Sequence, residues 1–334
     1  MSAMPNRPRV IAHRGASGYR PEHTKSSYEL AVELGADTLE VDVVATADGA
    51  LVCRHEHAIG GTTDVARHPG FAERRVTRAT PGRAEVTSWF VEDLTLAELR
   101  TLRARERMPR TRPSNTAYDG LDPVPTLGEV LTLVRETRLS RPLELMIELK
   151  HPAYLASRGL DVVELLPTAL ARAGLDGPDA DVVLECFEPT TLTRLADLTD
   201  LPLVQLLELA DRRPADLVAA GDPRTFGDLA TPTGLDEMAG RVAGIGVHTT
   251  HVFPLDPAGA IGALSSLVDD GHARGLTVTA FTLRQENRFL PRELRVGTDP
   301  AAPGDLAAQV RAFADAGVDG LITDHPDVVR AALR

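Results

Sequence analysis

Cysteine is scarce in this chain of 334 residues: there are two, Cys53 and Cys186, each inside an apolar, strand-like run. That usage excludes a disulfide framework and reads as two buried, reduced thiols. Also missing is any apolar run long enough to span a bilayer, so stable membrane insertion is not expected. Met1 to Arg9 is polar and contains proline, with no apolar leader segment. The expected setting is therefore cytoplasmic for the chain as it stands, or periplasmic or secreted if a leader has been removed. Basic charge is in deficit, with 36 Lys and Arg against 48 Asp and Glu, a net charge of −12. Such a balance argues against nucleic acid or an anionic membrane as the main partner. A small anionic substrate stays open, because a few basic side chains and a metal can reverse the sign locally.

What is present is a β/α alternation. Apolar residues make up 43% of the chain, enough for a substantial core. Strand-like runs at Glu144–Lys150, Asp181–Phe187, Leu201–Glu208, Val242–His248, Thr277–Leu283 and Gly320–Thr323 come at intervals. Helical patterns fall between or after them at Asp161–Ala173, Pro189–Leu198, Ala258–Arg274, Leu306–Ala316 and Pro326–Leu333. Upstream, helices are predicted over His23–Gly35, over Leu94–Leu102 with Thr95 as N-cap and Glu98 behind it, and from Thr126. A first strand ends at His13 and Arg14, and a second carries Glu40 and Asp42. The total is about eight strands in β/α order, which predicts one (β/α)₈ TIM-barrel domain over residues 1–334. An open doubly wound sheet is the alternative. The aperiodic, arginine-rich stretch at about 58–93 reads as an inserted cap.

The chemistry concentrates between Val10 and His57. Glu40 and Asp42 are two apart on a strand, so they project to one face, and a bound cation is the simplest compensation for two close carboxylates. Asp48-Gly49 signals a hairpin. A two-residue turn there pairs residues whose numbers sum to 97, which places His55 directly across from Asp42. Further along, Glu148 and Lys150 share one face of the next strand, Glu185 and Phe187 close another, and Arg284 follows the seventh. A barrel brings such strand ends together. Oxygen ligands favour one divalent cation, Ca²⁺ or Mg²⁺, cationic side chains suit a phosphate, and histidines serve as acid and base. Together these describe metal-assisted phosphodiester cleavage. A zinc pair at His55 and His57 is the competing reading of H-E-H.

The segments H-R-G-A-S-G-Y-x-P-E-H-T, E-V-D, T-A-D-G, H-E-H, E-L-K, F-T-L-R and the closing G-V-D-G-L-I-T-D-H-P-D resemble the glycerophosphodiester phosphodiesterase family, nearest the bacterial periplasmic type. The resemblance covers almost the whole chain. It implies a TIM barrel and hydrolysis of glycerophosphodiesters to glycerol 3-phosphate and an alcohol. It implies His13 and His55 as the acid–base pair, Arg14 and Lys150 as phosphate contacts, and Glu40, Asp42 and Glu148 as ligands of the cation. Phe187 and Arg284 join them as candidate substrate contacts. His23 stands where many members carry Asn, and H-E-H replaces the commoner H-D-H. A lysophospholipase D or another phosphodiesterase on the same site, and a non-catalytic barrel that binds phosphodiesters or metal, are the other readings.

Overall fold

The computed structural model describes residues 7–79, 85–177 and 179–334; part of the leader and cap readings falls outside them. The strands are β1 (Arg9–His13), β2 (Thr38–Ala45), β3 (Leu51–Cys53), β4 (Val76–Arg78), β5 (Val86–Ser88), β6 (Glu144–Leu149), β7 (Val182–Cys186), β8 (Leu203–Leu207), β9 (Gly244–His248), β10 (Thr277–Leu283) and β11 (Gly320–Thr323). Eight of them pair in parallel in the order β1-β11-β10-β9-β8-β7-β6-β2, and β1–β2 pairing closes the ring. The expected (β/α)₈ barrel is what forms, and the open sheet is excluded. Among the described residues no helix is long and apolar enough to cross a membrane. Both cysteines are free and buried.

Period-two alternation builds the interior in layers. Ile11, Met146 and Ile322 form an apolar plug, with Val183 and Phe281 packed against it. Two residues further along four of these strands, on the same face, stand His13, Glu148, Glu185 and Asp324. An apolar floor thus carries a charged layer at the C-terminal rim, where a barrel keeps its site. Outward-facing residues such as Leu39, Val41 and Val43 of β2 join the main core under the helices.

The hairpin after β2 departs from expectation. Val43 pairs with Cys53, Val44 with Val52 and Ala45 with Leu51, so the numbers sum to 96 and Arg54, not His55, stands across from Asp42. The loop has three residues, because Gly49 adopts φ +79° and its N–H returns to the Thr46 carbonyl at 2.9 Å. Thr46 and Ala50 close it with a 2.9 Å backbone bond. A turn ending in a left-handed glycine takes one more residue than the tight two-residue form.

Two helix predictions also change. The pattern at Ala258–Arg274 is helical only over Leu267–His272. Ahead of it, the Asp256 carboxylate accepts from the N–H groups of Ala258 and Ala260, and Gly259 sits at φ +79°. Local side-chain bonding there outcompetes the helix. Leu94–Leu102 shortens to Leu96–Leu99, with the capping box of Thr95 and Glu98 present as read. Helices at Lys25–Glu33, capped by Thr24, and Leu127–Arg138, boxed by Thr126 and Glu129, match their predictions closely. The excursion between β3 and β6 holds 3₁₀ turns and the β4–β5 ribbon.

Candidate active site

β1 delivers His13 to the rim, buried among charges. Its Nδ1 lies 2.5 Å from Asp324 Oδ1, just past the end of β11. Burial, then the neighbouring Arg14 guanidinium, push the imidazole down to about 4, so it is neutral near pH 7. With Nδ1 committed to Asp324, Nε2 is the nitrogen left for chemistry. Asp324 also accepts from Arg112 Nη2 at 2.6 Å and Arg284 Nε at 2.7 Å. Burial works against its charge, but Arg284, Arg112 and His13 hold it well below the usual carboxylate range.

Arg14 turns the chain away from the barrel at φ +58°. Its N–H donates to Glu40 Oε2 at 2.7 Å, and its carbonyl accepts from the His23 N–H at 3.1 Å. These bonds hold a backbone conformation that costs a side-chain-bearing residue about 1–2 kcal/mol. The next residue must be glycine: at φ +84°, a Cβ on Gly15 would lie 2.7 Å from the Ser27 carbonyl carbon. The guanidinium donates to Glu22 at 2.9 Å, and Glu22 is clamped by Arg107 as well.

Asp42 is tied down from three sides. His23 Nε2 lies 2.7 Å from Oδ2, Arg14 Nε 3.3 Å from the same oxygen, and Lys150 Nζ 3.3 Å from Oδ1. Lys150 also donates to Glu148 Oε1 at 2.7 Å. Glu40, Glu148 and Glu185 each place a carboxylate oxygen within 4.8 Å of the other two. Burial and mutual repulsion raise Glu40 and Glu148 well above the carboxylate range and Glu185 to about 8. Asp42 goes the other way: burial disfavours its charge, but Lys150, His55 and His23 keep it ionised.

His55 reaches the same cavity from beyond the hairpin rather than across it, and its Nδ1 lies 3.1 Å from Glu56 Oε1. Burial, Arg14 and Lys150 hold its imidazole well below the ordinary value. His57 is turned to Glu92 at 3.0 Å, a carboxylate that also accepts from Tyr154 at 2.7 Å and Arg78 at 3.1 Å. Among the described residues the group of three or more His, Cys, Asp and Glu side chains close enough together to hold a metal ion is Glu40, Glu148 and Glu185.

A cavity of about 1150 Å³ opens over this layer. His13, Arg14, Glu40, His55, Glu148, Lys150, Phe187 and Arg284 all line it, and Asp42, 1% exposed, lies beneath. Six of the eight phenylalanines also border it: Phe187, Phe226, Phe253, Phe281, Phe289 and Phe313. Two arginines of the excursion serve the scaffold, Arg74 on Glu98 and Arg78 on Asp93. Sequence reading left Asp324, Glu22 and His23 without roles and kept Glu185 out of the ligand set. Asp324 and Glu185 did carry a signal, since each stands at the end of a strand.

The model of the Glycerophosphoryl diester phosphodiesterase family matches residues 13–328. A glycerophosphodiester phosphodiesterase of Arabidopsis thaliana is 29% identical over 331 residues, covering 96% of this chain and 84% of that protein. Another, from Bacillus subtilis, is 32% identical over 234 residues, 68% of this chain and 69% of the relative. Among solved structures, a protein from Silicibacter pomeroyi described as a glycerophosphoryl diester phosphodiesterase superposes with a TM-score of 0.70 at 25% identity, covering 98% of this chain and 94% of the other. An Oleispira antarctica phosphodiesterase, solved with the product sn-glycerol-3-phosphate, shares the fold at a TM-score of 0.63 and 20% identity, over 98% of this chain and 96% of that one. The chain belongs to the glycerophosphoryl diester phosphodiesterase family and is an enzyme.

Proposed function

We propose that this chain hydrolyses glycerophosphodiesters to glycerol 3-phosphate and an alcohol, with His13 and His55 as its acid and base. The observation that carries the reading is the meeting of two neutral imidazoles, His13 buried and His55 half-buried, with Arg14, Lys150 and a carboxylate layer in one cavity. Glu40, Asp42 and Glu148 would hold a divalent cation, Ca²⁺ or Mg²⁺, which when bound offsets charge on the phosphoryl oxygens. The donor set fits such an ion: all three are buried carboxylates, and Asp42 and Glu148 stand side by side across β2 and β6.

The rest of the work falls to the chain itself. Arg14 and Lys150 neutralise and orient the phosphate. A neutral imidazole accepts the proton of the attacking hydroxyl, either water or the glycerol 2-hydroxyl with a cyclic phosphate to follow. The other imidazole takes up a proton from solvent when the phosphodiester anion binds beside it, and as imidazolium passes that proton to the leaving alkoxide. Asp324 fixes the tautomer of His13.

A second reading concerns the substrate. Ring faces of Phe187, Phe253, Phe281 and Phe289 stay partly exposed in the cavity, and Leu255 and Ile261 at its edge are 41% and 39% exposed. An apolar wall of that extent suits a diester carrying an alkyl chain, as in a lysophospholipase D reaction. Turnover of glycerophosphocholine and of lysophosphatidylcholines of increasing chain length, in chelator and after Ca²⁺ or Mg²⁺ is restored, separates the two substrates. His13→Ala and His55→Ala should each lose on the order of a hundred- to ten-thousand-fold in kcat. Retention of most activity in either variant sinks the acid–base assignment.

A further inference from the structure

We propose that Glu185 is a ligand of the cation, and that it biases the site towards Ca²⁺ over Mg²⁺. The inference rests on the cation reading above and goes beyond its set of Glu40, Asp42 and Glu148. Strand register puts Asp42 beside Glu148 and Glu148 beside Glu185, a row of three carboxylates across β2, β6 and β7. Parallel neighbours in a sheet stand about 4.8 Å apart, and the side chains converge further, since Glu40, Glu148 and Glu185 each bring an oxygen within 4.8 Å of the others.

These three carboxylates and Glu40 differ in what holds them. Asp42 has His23, Arg14 and Lys150; Glu148 has Lys150; Glu40 has the Arg14 N–H. Glu185 is 1% exposed, makes no hydrogen bond or ion pair among the described residues, and its Oε2 is buried without a partner. A buried carboxylate with no partner is costly, and a rigid strand gives it no route to solvent. A cation among the three glutamates supplies what is missing.

The charge count agrees. With the carboxylates deprotonated, as ligation of a cation requires, Glu40, Asp42, Glu148 and Glu185 against Arg14 and Lys150 leave two negative charges, one divalent ion's worth. Glu22, the other acid on Arg14, is matched by Arg107. The number of oxygens then selects the ion. Ca²⁺ accepts about 6–8 oxygen ligands, bidentate carboxylates included, whereas Mg²⁺ keeps several waters and uses one or two carboxylates. Glutamates from adjacent strands make a crowded, flexible-headed site of the former kind.

The test uses the whole chain stripped with chelator and titrated calorimetrically with CaCl₂ and with MgCl₂, as wild type, Glu185→Gln and Glu148→Gln. Glu185→Gln should weaken Ca²⁺ at least about tenfold and Mg²⁺ by less than about threefold. It should also melt higher than wild type in chelator, because a buried carboxyl group that lacks a partner is removed, yet gain less on adding Ca²⁺. Ca²⁺ affinity within about twofold of wild type, with Glu148→Gln weakened, shows that Glu185 is no ligand. Equal losses for both ions overturn the selectivity. Unchanged binding in Glu148→Gln, or none in the wild type, is a failure of the cation reading itself.

Discussion

Asp324 collects three positively disposed groups on one carboxylate: His13, Arg112 and Arg284. It touches no reacting atom and acts by positioning, holding one face of the His13 ring so that Nε2 stays towards the cavity. Asp324→Asn preserves the shape but loses the charge that selects the tautomer. We expect kcat to fall by on the order of a hundred-fold or more while KM changes little, measured by steady-state kinetics on a glycerophosphodiester. An unchanged kcat would assign Asp324 to the fold alone. His13, Arg14 and the carboxylates could be read from the sequence because each falls at a strand end beside an apolar run. His23 could not. It follows a proline-containing loop, and only folding brings its Nε2 to Asp42 and its Nδ1 to within 2.7 Å of the Tyr28 hydroxyl.

Among elements, the β2–β3 hairpin shows how a single backbone angle redirects a functional inference. Alternation along β2 was legible, and so was the turn at Asp48-Gly49. The loop length was not, since Asp-Gly serves two-residue and three-residue turns alike. Gly49 at φ +79° selects the longer turn, and the one-residue difference places Arg54 across from Asp42. Arg54 is then buried, donating to the carbonyls of Glu22 and Thr62 and tying the excursion to the β1 loop. Gly49→Ala meets no atom within 4 Å, so its cost is the backbone alone. Unfolding in urea should show a loss of about 1–2 kcal/mol. A neutral or stabilising substitution would mean that the loop relaxes to another turn.

The molecule as a whole should answer to acid through its buried imidazoles. His325 sits wholly buried at the start of the last helix, edge-on to Tyr19, with neither ring nitrogen hydrogen-bonded among the described residues. Burial holds it down to about 4 from an ordinary 6.5. Between those values the unfolded chain binds a proton that the folded chain refuses. Stability therefore falls as pH drops from about 6.5 to about 4, by up to about 3 kcal/mol for this group. Melting temperatures at pH 7 and pH 5 should differ less in His325→Leu than in wild type; an equal difference would place the acid sensitivity elsewhere.

The β/α order was determined by the sequence. Its strands are short apolar runs separated by helical spacing, and the pairing of β1 with β2 in the folded chain then closes the ring. Local chemistry likewise set the caps at Thr24, Thr95 and Thr126, whose partners lie three residues away. Only the tertiary structure decided how the charges are shared. Whether Asp42 or Glu185 is left without a partner depends on which long side chains reach it from other strands and loops. Lys150 and His23 go to Asp42, and none goes to Glu185 among the described residues. Strand positions follow from pattern, but the pairing of buried charges is a contest over a few ångströms among groups far apart in the chain.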